Sequence, residues 1–300
     1  MIVITGATGN TGTPAAEALL AKGEKIRVVG RDAAKLEGFA AKGAEIFVGN
    51  AENAAEMERA FDGAAAVYLV IPQALQRDDF RDYQERISDA YASAIQKSGV
   101  KFAVSLSSIG AQNADKTGPI VGLHNMEEKL NRISGLNVLH LRPAWFMENF
   151  LMSIEGIRMM NALPGAGPAE IPQPAIATKD IGRYAAKRLA GRNFSGHSTQ
   201  ELLGPRDITM KEAAGIIGQA IGKPNLAYVQ MPLILLESAL TSMGLPKSSA
   251  ALMIELWKGA NEGLLAPQEP RSLENTTPTT LEQFAEEVFA PQFQRRAARA

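Results

Sequence analysis

The stretch Ile2-Val-Ile-Thr-Gly6-Ala-Thr-Gly9-Asn-Thr-Gly12 constrains this chain more than any other. A short apolar run leads into three glycines spaced three apart, and Pro14 follows in the first turn of an expected helix. Glycines so placed permit a tight turn, close approach of backbone to a pyrophosphate, and close packing of helix on strand. The pyrophosphate then rests on unpaired N–H groups at the positive end of the helix. Gly6, Thr8, Gly9, Asn10, Thr11 and Gly12 are therefore the expected dinucleotide cradle, with Thr8, Asn10 and Thr11 as further side-chain donors. A strand before the glycines and a helix after them, inside a β-α-β unit, separates such a cradle from an ordinary glycine turn.

The rest of the first half alternates β-branched runs with amphipathic stretches, the pattern of an α/β fold with a doubly wound parallel sheet. Strands are expected at Ile2–Thr5, Lys25–Val29, Glu45–Val48, Ala65–Ile71, Phe102–Ser107 and Val138–Leu141. Helices are expected at Pro14–Ala21, Ala54–Phe61, Asp79–Lys97 and His124–Ile133, with Gly23 and Gly99 as C-terminal caps. Beyond Arg142-Pro143 the character changes. Two Pro/Gly-rich stretches, Leu163–Pro168 and Ile171–Pro174, read as loops. A helix near Asp180–Ala190 precedes a short strand at Glu201–Leu203 that extends the sheet, and His197 falls in a loop. Capping boxes at Thr209/Glu212 and Thr280/Gln283 open two helices, with further helices at Leu233–Met243 and Ser248–Gly263. The tail Gln292–Ala300, carrying Arg295, Arg296 and Arg299, reads as frayed. The expected organisation is a dinucleotide-binding Rossmann domain over residues 1–155, with a strand near 199–204 added to its sheet. Residues 156–300 form a smaller, mainly helical domain on the substrate side.

Cofactor choice turns on the tip of the second strand, Val28-Val-Gly-Arg31-Asp32. A site for NAD(H) places an acidic residue there to accept from the ribose 2′-hydroxyl. Here Arg31 stands at the tip with Lys35 one helical turn on, and a guanidinium fork suits a 2′-phosphate. NADP(H) is preferred; NAD(H), with Asp32 on the ribose and Arg31 and Lys35 as solvated charges, is the alternative. Asn50, after the third strand, meets the adenine or else caps the next helix. Ile71 and Pro72, after the fourth, lie under the nicotinamide end.

Thirty-one basic and 32 acidic residues nearly cancel, which gives no reason to expect nucleic acid or an anionic membrane as partner. Cysteine is absent, so thiolate nucleophiles, disulfides and cysteine metal sites are excluded. With no targeting segment before the first strand and no stretch of membrane-spanning length, a cytoplasmic protein is expected. His140 and His197 have no neighbouring ligand pattern, and no metal site is expected.

Further motifs follow: Val104-Ser-Leu-Ser-Ser-Ile-Gly110, His124-x-x-x-Glu128 with Ser134-Gly135-Leu136, Leu141-Arg-Pro-Ala-Trp-Phe-Met-Glu-Asn149, Thr178-Lys-Asp180-Ile181 and Gly204-Pro205. Together with the glycine spacing they resemble the NmrA-like, atypical group of the short-chain dehydrogenase superfamily over about residues 1–230. That resemblance implies NAD(P)H-dependent reduction of quinones, dyes or azo compounds, or else dinucleotide binding without turnover by a redox sensor with a protein partner.

Ordinary members of the superfamily use a Tyr-x-x-x-Lys helix, the tyrosine as proton donor. Aligned on Glu128 and Ser134-Gly135, Ile120 stands at the tyrosine position and His124 at the lysine. None of the five tyrosines is followed four residues on by lysine. His124 is the remaining candidate acid or ribose ligand, because histidine as a residue type titrates near neutrality; alternatively it is a solvent-facing first-turn residue. Ser107 and Ser108, at the end of the fifth strand, sit where open α/β sheets bind ligands; the resemblance places them in the family's active-site serine region and makes Ser107 a second catalytic candidate and a cofactor contact, the alternative being a strand-end cap. Glu128 orders its helix. Pro143 and Phe146 complete the nicotinamide end, and Trp145 with Phe146 forms an aromatic wall or joins the core. The leading expectation is an NADPH-dependent oxidoreductase acting on a small electron-poor acceptor, which accepts hydride without a strong enzymic acid. A nucleotide-sugar epimerase is disfavoured by the missing tyrosine and lysine.

Overall fold

A computed structural model describes residues 1–297. The first half alternates strands and helices in the order β1 (Ile2–Thr5), α1 (Gly12–Ala21), β2 (Ile26–Gly30), α2 (Ala33–Ala40), β3 (Glu45–Val48), α3 (Ala54–Phe61), β4 (Ala66–Leu69), α4 (Phe80–Ser98), β5 (Phe102–Leu106), α5 (Val121–Asn131) and β6 (Asn137–Pro143). After β7 (Trp145–Phe146) come α6 (Ile154–Met160), β8 (Ala162–Gly165), β9 (Gln173–Ile176), α7 (Thr178–Gly191), β10 (His197–Leu202), β11 (Asp207–Ile208), α8 (Met210–Ala220), β12 (Ala227–Gln230), α9 (Leu233–Ser242) and α10 (Lys247–Asn261). The chain closes with α11 (Leu281–Phe284), a π-helical turn and α12 (Ala290–Ala297).

Seven described strands form a parallel sheet in the order β10-β6-β5-β4-β1-β2-β3. The order reverses between β1 and β4, which opens the crevice where such sheets bind ligands. Both faces are covered, so alternate residues of each strand are apolar on either side. One face packs Ile4, Val28 and Val104 against Leu19 of α1 and Ile181, Ala185 and Leu189 of α7. The other packs Val3, Leu69 and Val138 against Phe61 of α3, Tyr91 and Ile95 of α4, and Leu130 of α5. A third cluster joins Phe150, Leu163, Ile217, Phe284 and Phe289. Although α7 lies beyond residue 155, it covers the Rossmann face. Gly182 makes the close approach feasible, because a Cβ there would stand 2.3 Å from the Thr11 carbonyl oxygen.

Four readings of the sequence are corrected. Leu163–Pro168 and Ile171–Pro174, expected as loops, contain β8, which pairs with β12, and β9, which pairs with β7 and β11. His197 opens β10 rather than lying in a loop, since that strand pairs with β6 from Val138 onward. Helices α2 and α6 were not expected; α2 is capped by Asp32, whose side chain accepts from the Ala34 N–H. The helical turns continue through Ala297 instead of fraying at Gln292; Arg299 lies outside the described residues. Among the described residues no helix is long and apolar enough to cross a membrane.

Candidate functional site

The glycine loop closes at the β1/β4 crevice. Gly6 adopts φ 62°, the left-handed region that favours glycine. A Cβ on Gly12 would stand 2.1 Å from the Gly6 carbonyl oxygen, so only glycine fits there. The Gly9 N–H donates to that carbonyl at 2.9 Å, and Thr13 Oγ1 donates to the Ala7 carbonyl at 2.9 Å, which locks the turn. Thr5 ties the two crevice strands: its Oγ1 donates to the Tyr68 carbonyl and accepts from the Val70 N–H, both at 2.9 Å. Thr8, Gly9 and Asn10 are exposed, whereas Thr11 and Gly12 are buried. No acidic residue occupies the first turn of α1. A cradle that excludes side chains, a helix N-terminus and no competing carboxylate together fit a dinucleotide pyrophosphate.

At the tip of β2, Arg31 is exposed. Asp32, the residue that an NAD(H) site would need, is engaged as the cap of α2 at 3.1 Å. Lys35 reaches back to Asp32 at 3.8 Å, an exposed pair. Arg31 and Lys35 therefore stand exposed at the tip of β2, with one carboxylate already committed between them. Asn50 accepts from the Glu52 N–H at 3.2 Å, and Asn53, not Asn50, caps α3. The sequence reading missed the ion network beside them. Glu52 and Asp79 each bind both Arg77 and Arg86, tying the loop after β3 to the loop after β4. The two guanidinium groups hold the Asp79 carboxyl well below the usual carboxylate range. Arg77 also stacks on the Tyr83 ring at 4.9 Å.

Beyond β4, Ile71 and Pro72 are half-buried. After β5 the two serines diverge. Ser107 is buried and its Oγ donates to Glu127 Oε1 at 2.5 Å; Ser108 Oγ donates to the Ile109 carbonyl. Glu127 is the residue sequence reasoning passed over in favour of its exposed neighbour Glu128. It is 3% exposed and receives a two-pronged bond from Arg142. Four residues on along α5, Asn131 is the partner of buried His140. Ser105 Oγ donates to His140 Nδ1 at 2.6 Å, and burial pushes that imidazole down to about 4.

His124 is half-buried rather than solvent-facing. Its Nδ1 lies 2.8 Å from the Ala111 carbonyl oxygen. A carbonyl only accepts, so Nδ1 carries the proton and Nε2 is the acceptor nitrogen of the neutral ring. The loop after β5 thus fixes ring orientation at the sheet's C-terminal edge. Ile120 is buried, in keeping with an apolar residue that supplies no proton.

At the end of β6, Pro143 is buried and its carbonyl accepts from the Ile109 N–H at 3.1 Å. Trp145 and Phe146 point to opposite sides of the two-residue strand β7. Phe146 packs on the Rossmann core, while Trp145 joins the C-terminal cluster and meets Trp257 of α10 with ring centroids 5.1 Å apart. The Glu148 carboxylate accepts from the Thr178 N–H and hydroxyl and so caps α7; burial raises its pKa. Among the described residues no cluster of His, Cys, Asp and Glu could hold a metal.

A family model described as the NmrA-like family matches residues 1–285. The chain is 30% identical over 227 residues to a (4-alkanoyl-5-oxo-2,5-dihydrofuran-3-yl)methyl phosphate reductase of Streptomyces griseus, covering 75% of each chain. It is 28% identical over 268 residues to an NAD(P)H azoreductase of Xenophilus azovorans, covering 89% of each. The structure superposes on the NADPH complex of an NADPH-dependent quinone oxidoreductase from Escherichia coli with a TM-score of 0.80 and 26% identity, covering 96% of this chain and 100% of that one.

Proposed function

The chain belongs to the NmrA-like family, and on that footing we propose that it is an NADPH-dependent oxidoreductase that reduces a small, flat, electron-poor acceptor such as a quinone or dye. The glycine cradle at the β1/β4 crevice carries this reading, supported by the likeness to the azoreductase and to the quinone oxidoreductase. Gly6, Thr8, Gly9, Asn10, Thr11 and Gly12 hold the pyrophosphate, Arg31 and Lys35 the 2′-phosphate, and Asn50 the adenine. Ile71, Pro72, Pro143 and Phe146 line the nicotinamide end, and residues 156–300 supply the acceptor side. The absence of cysteine supports a cytoplasmic setting.

NADPH, when bound, supplies the hydride. The chain's own residues bind, orient and provide a proton to the reduced acceptor oxygen. His124 is the proton donor in this reading: Ala111 holds its Nδ1–H, so the second proton of the imidazolium sits on Nε2 and leaves from there. Ser107 acts as a positioning residue, since its hydroxyl is spent on Glu127 and fixes the strand end rather than the acceptor.

The test is oxidation of NADPH against a panel of quinones and azo dyes. His124→Gln is expected to lower kcat about 100-fold while leaving NADPH affinity unchanged. Measurable NADPH binding with no acceptor-dependent oxidation overturns the enzymatic reading and leaves the dinucleotide sensor in its place.

A further inference from the structure

Behind the phosphate cradle lies an unused polar group. Tyr68, in the middle of β4 and directly beside Ile4 of β1, has no solvent exposure, and its hydroxyl has no hydrogen-bond partner. A buried phenol without a partner carries a desolvation penalty that a phenylalanine of the same shape would not. The polar side chain that faces it is Thr11, the residue that enters α1. Thr11 is itself 4% exposed, and its hydroxyl makes no capping bond to the helix it precedes. Its carbonyl side is closed off by Gly182 of α7. The orphaned phenol therefore neighbours the threonine that stands at the N-terminus of α1.

We propose that Tyr68 is a positioning residue for the dinucleotide pyrophosphate: its hydroxyl donates to Thr11 Oγ1, which turns the Thr11 hydroxyl proton toward a phosphate oxygen. This rests on the dinucleotide-binding reading above. Burial raises the Tyr68 pKa above the ordinary tyrosine range, so the phenol stays neutral and remains a donor. A threonine whose oxygen already accepts a bond is polarised as a donor, and two bonds in series strengthen each other. An anion at the cradle fixes the direction of both hydroxyls.

Titration calorimetry with NADPH and with 2′-AMP, which carries the adenine and 2′-phosphate but no pyrophosphate, tests the assignment. Tyr68→Phe is expected to weaken NADPH about 5- to 10-fold while 2′-AMP binds as it does to wild type. The ligand-free variant should unfold at a higher temperature, because the unpaired hydroxyl is gone. In a Thr11→Val background, Tyr68→Phe should have no further effect on NADPH, and Thr11→Ser should keep wild-type affinity. Unchanged NADPH affinity in Tyr68→Phe, or equal weakening of both ligands, overturns the assignment alone. A wild-type chain that fails to bind NADPH overturns the proposed function together with it.

Discussion

Glu127 and Arg142 form a buried, two-pronged ion pair: Arg142 Nε donates to Oε1 at 3.0 Å and Nη2 to Oε2 at 2.5 Å, with side chains 4% and 14% exposed. The pair joins α5 to β6, and Ser107 on β5 adds a third bond to the same carboxylate. One carboxylate therefore registers three elements, α5, β6 and the end of β5. Removing it strands a guanidinium away from water. Glu127→Ala is expected to cost about 3–5 kcal/mol of stability, whereas a paired apolar replacement, Glu127→Leu with Arg142→Met, recovers most of that loss. Urea unfolding of the single and double variants checks both statements.

His140 gives the fold a defined acid sensitivity. Its folded pKa is about 4 against an ordinary 6.5, so the unfolded chain binds the extra proton first. The stability from keeping it neutral is complete above 6.5 and is lost as pH falls from 6.5 toward 4. The gap between those values corresponds to about 3 kcal/mol. His140→Gln should flatten this part of the curve. The comparison is between unfolding free energies of the two proteins across pH 4 to 7.

Arg31 is expected to set cofactor choice, because Asp32 is spent on capping α2. Arg31→Ala should weaken NADPH about 10- to 100-fold, the value of a charge-assisted bond, and leave NADH nearly unchanged. Calorimetric titration with both cofactors reads this out.

Gly182→Ala would set a Cβ 2.3 Å from the Thr11 carbonyl oxygen and 2.7 Å from the Pro14 ring. The expected result is a loss of about 1–3 kcal/mol as α7 is pushed off α1. NADPH affinity should fall as well, because the displaced carbonyl belongs to the cradle. Thermal unfolding and cofactor titration together check the pair of effects.

The cofactor half was legible because its signals are local. Three glycines between an apolar run and a helix specify a turn that geometry allows for no other residue, as Gly12 and Gly6 show. The strands of the sheet read as apolar runs because both faces are buried. What stayed hidden depends on partners far along the chain. Pro164 and Gly165 read as loop residues, yet they sit in β8 because β12 pairs with them from more than sixty residues away. Glu127 and Glu128 look alike in sequence. Only the arrival of Arg142 on β6 decides that the first is buried and the second faces solvent. For His124 the helix alone left a functional and a solvent-facing reading open, since the loop that tethers it lies thirteen residues earlier.

Helix α10 is seated on the cofactor half by contacts that leave no room for a side chain. A Cβ on Gly118 would stand 2.1 Å from the Leu252 carbonyl oxygen, and one on Gly259 2.4 Å from that of Lys116. Ser249 Oγ adds a bond to the Arg77 carbonyl at 2.9 Å. Helix α9, which precedes α10, has no buried residue at all. Mutational drift should therefore be sharply uneven along residues 233–261. The α10 seam can change only in concert with the loops beneath it, while α9 can accumulate substitutions at little cost to folding.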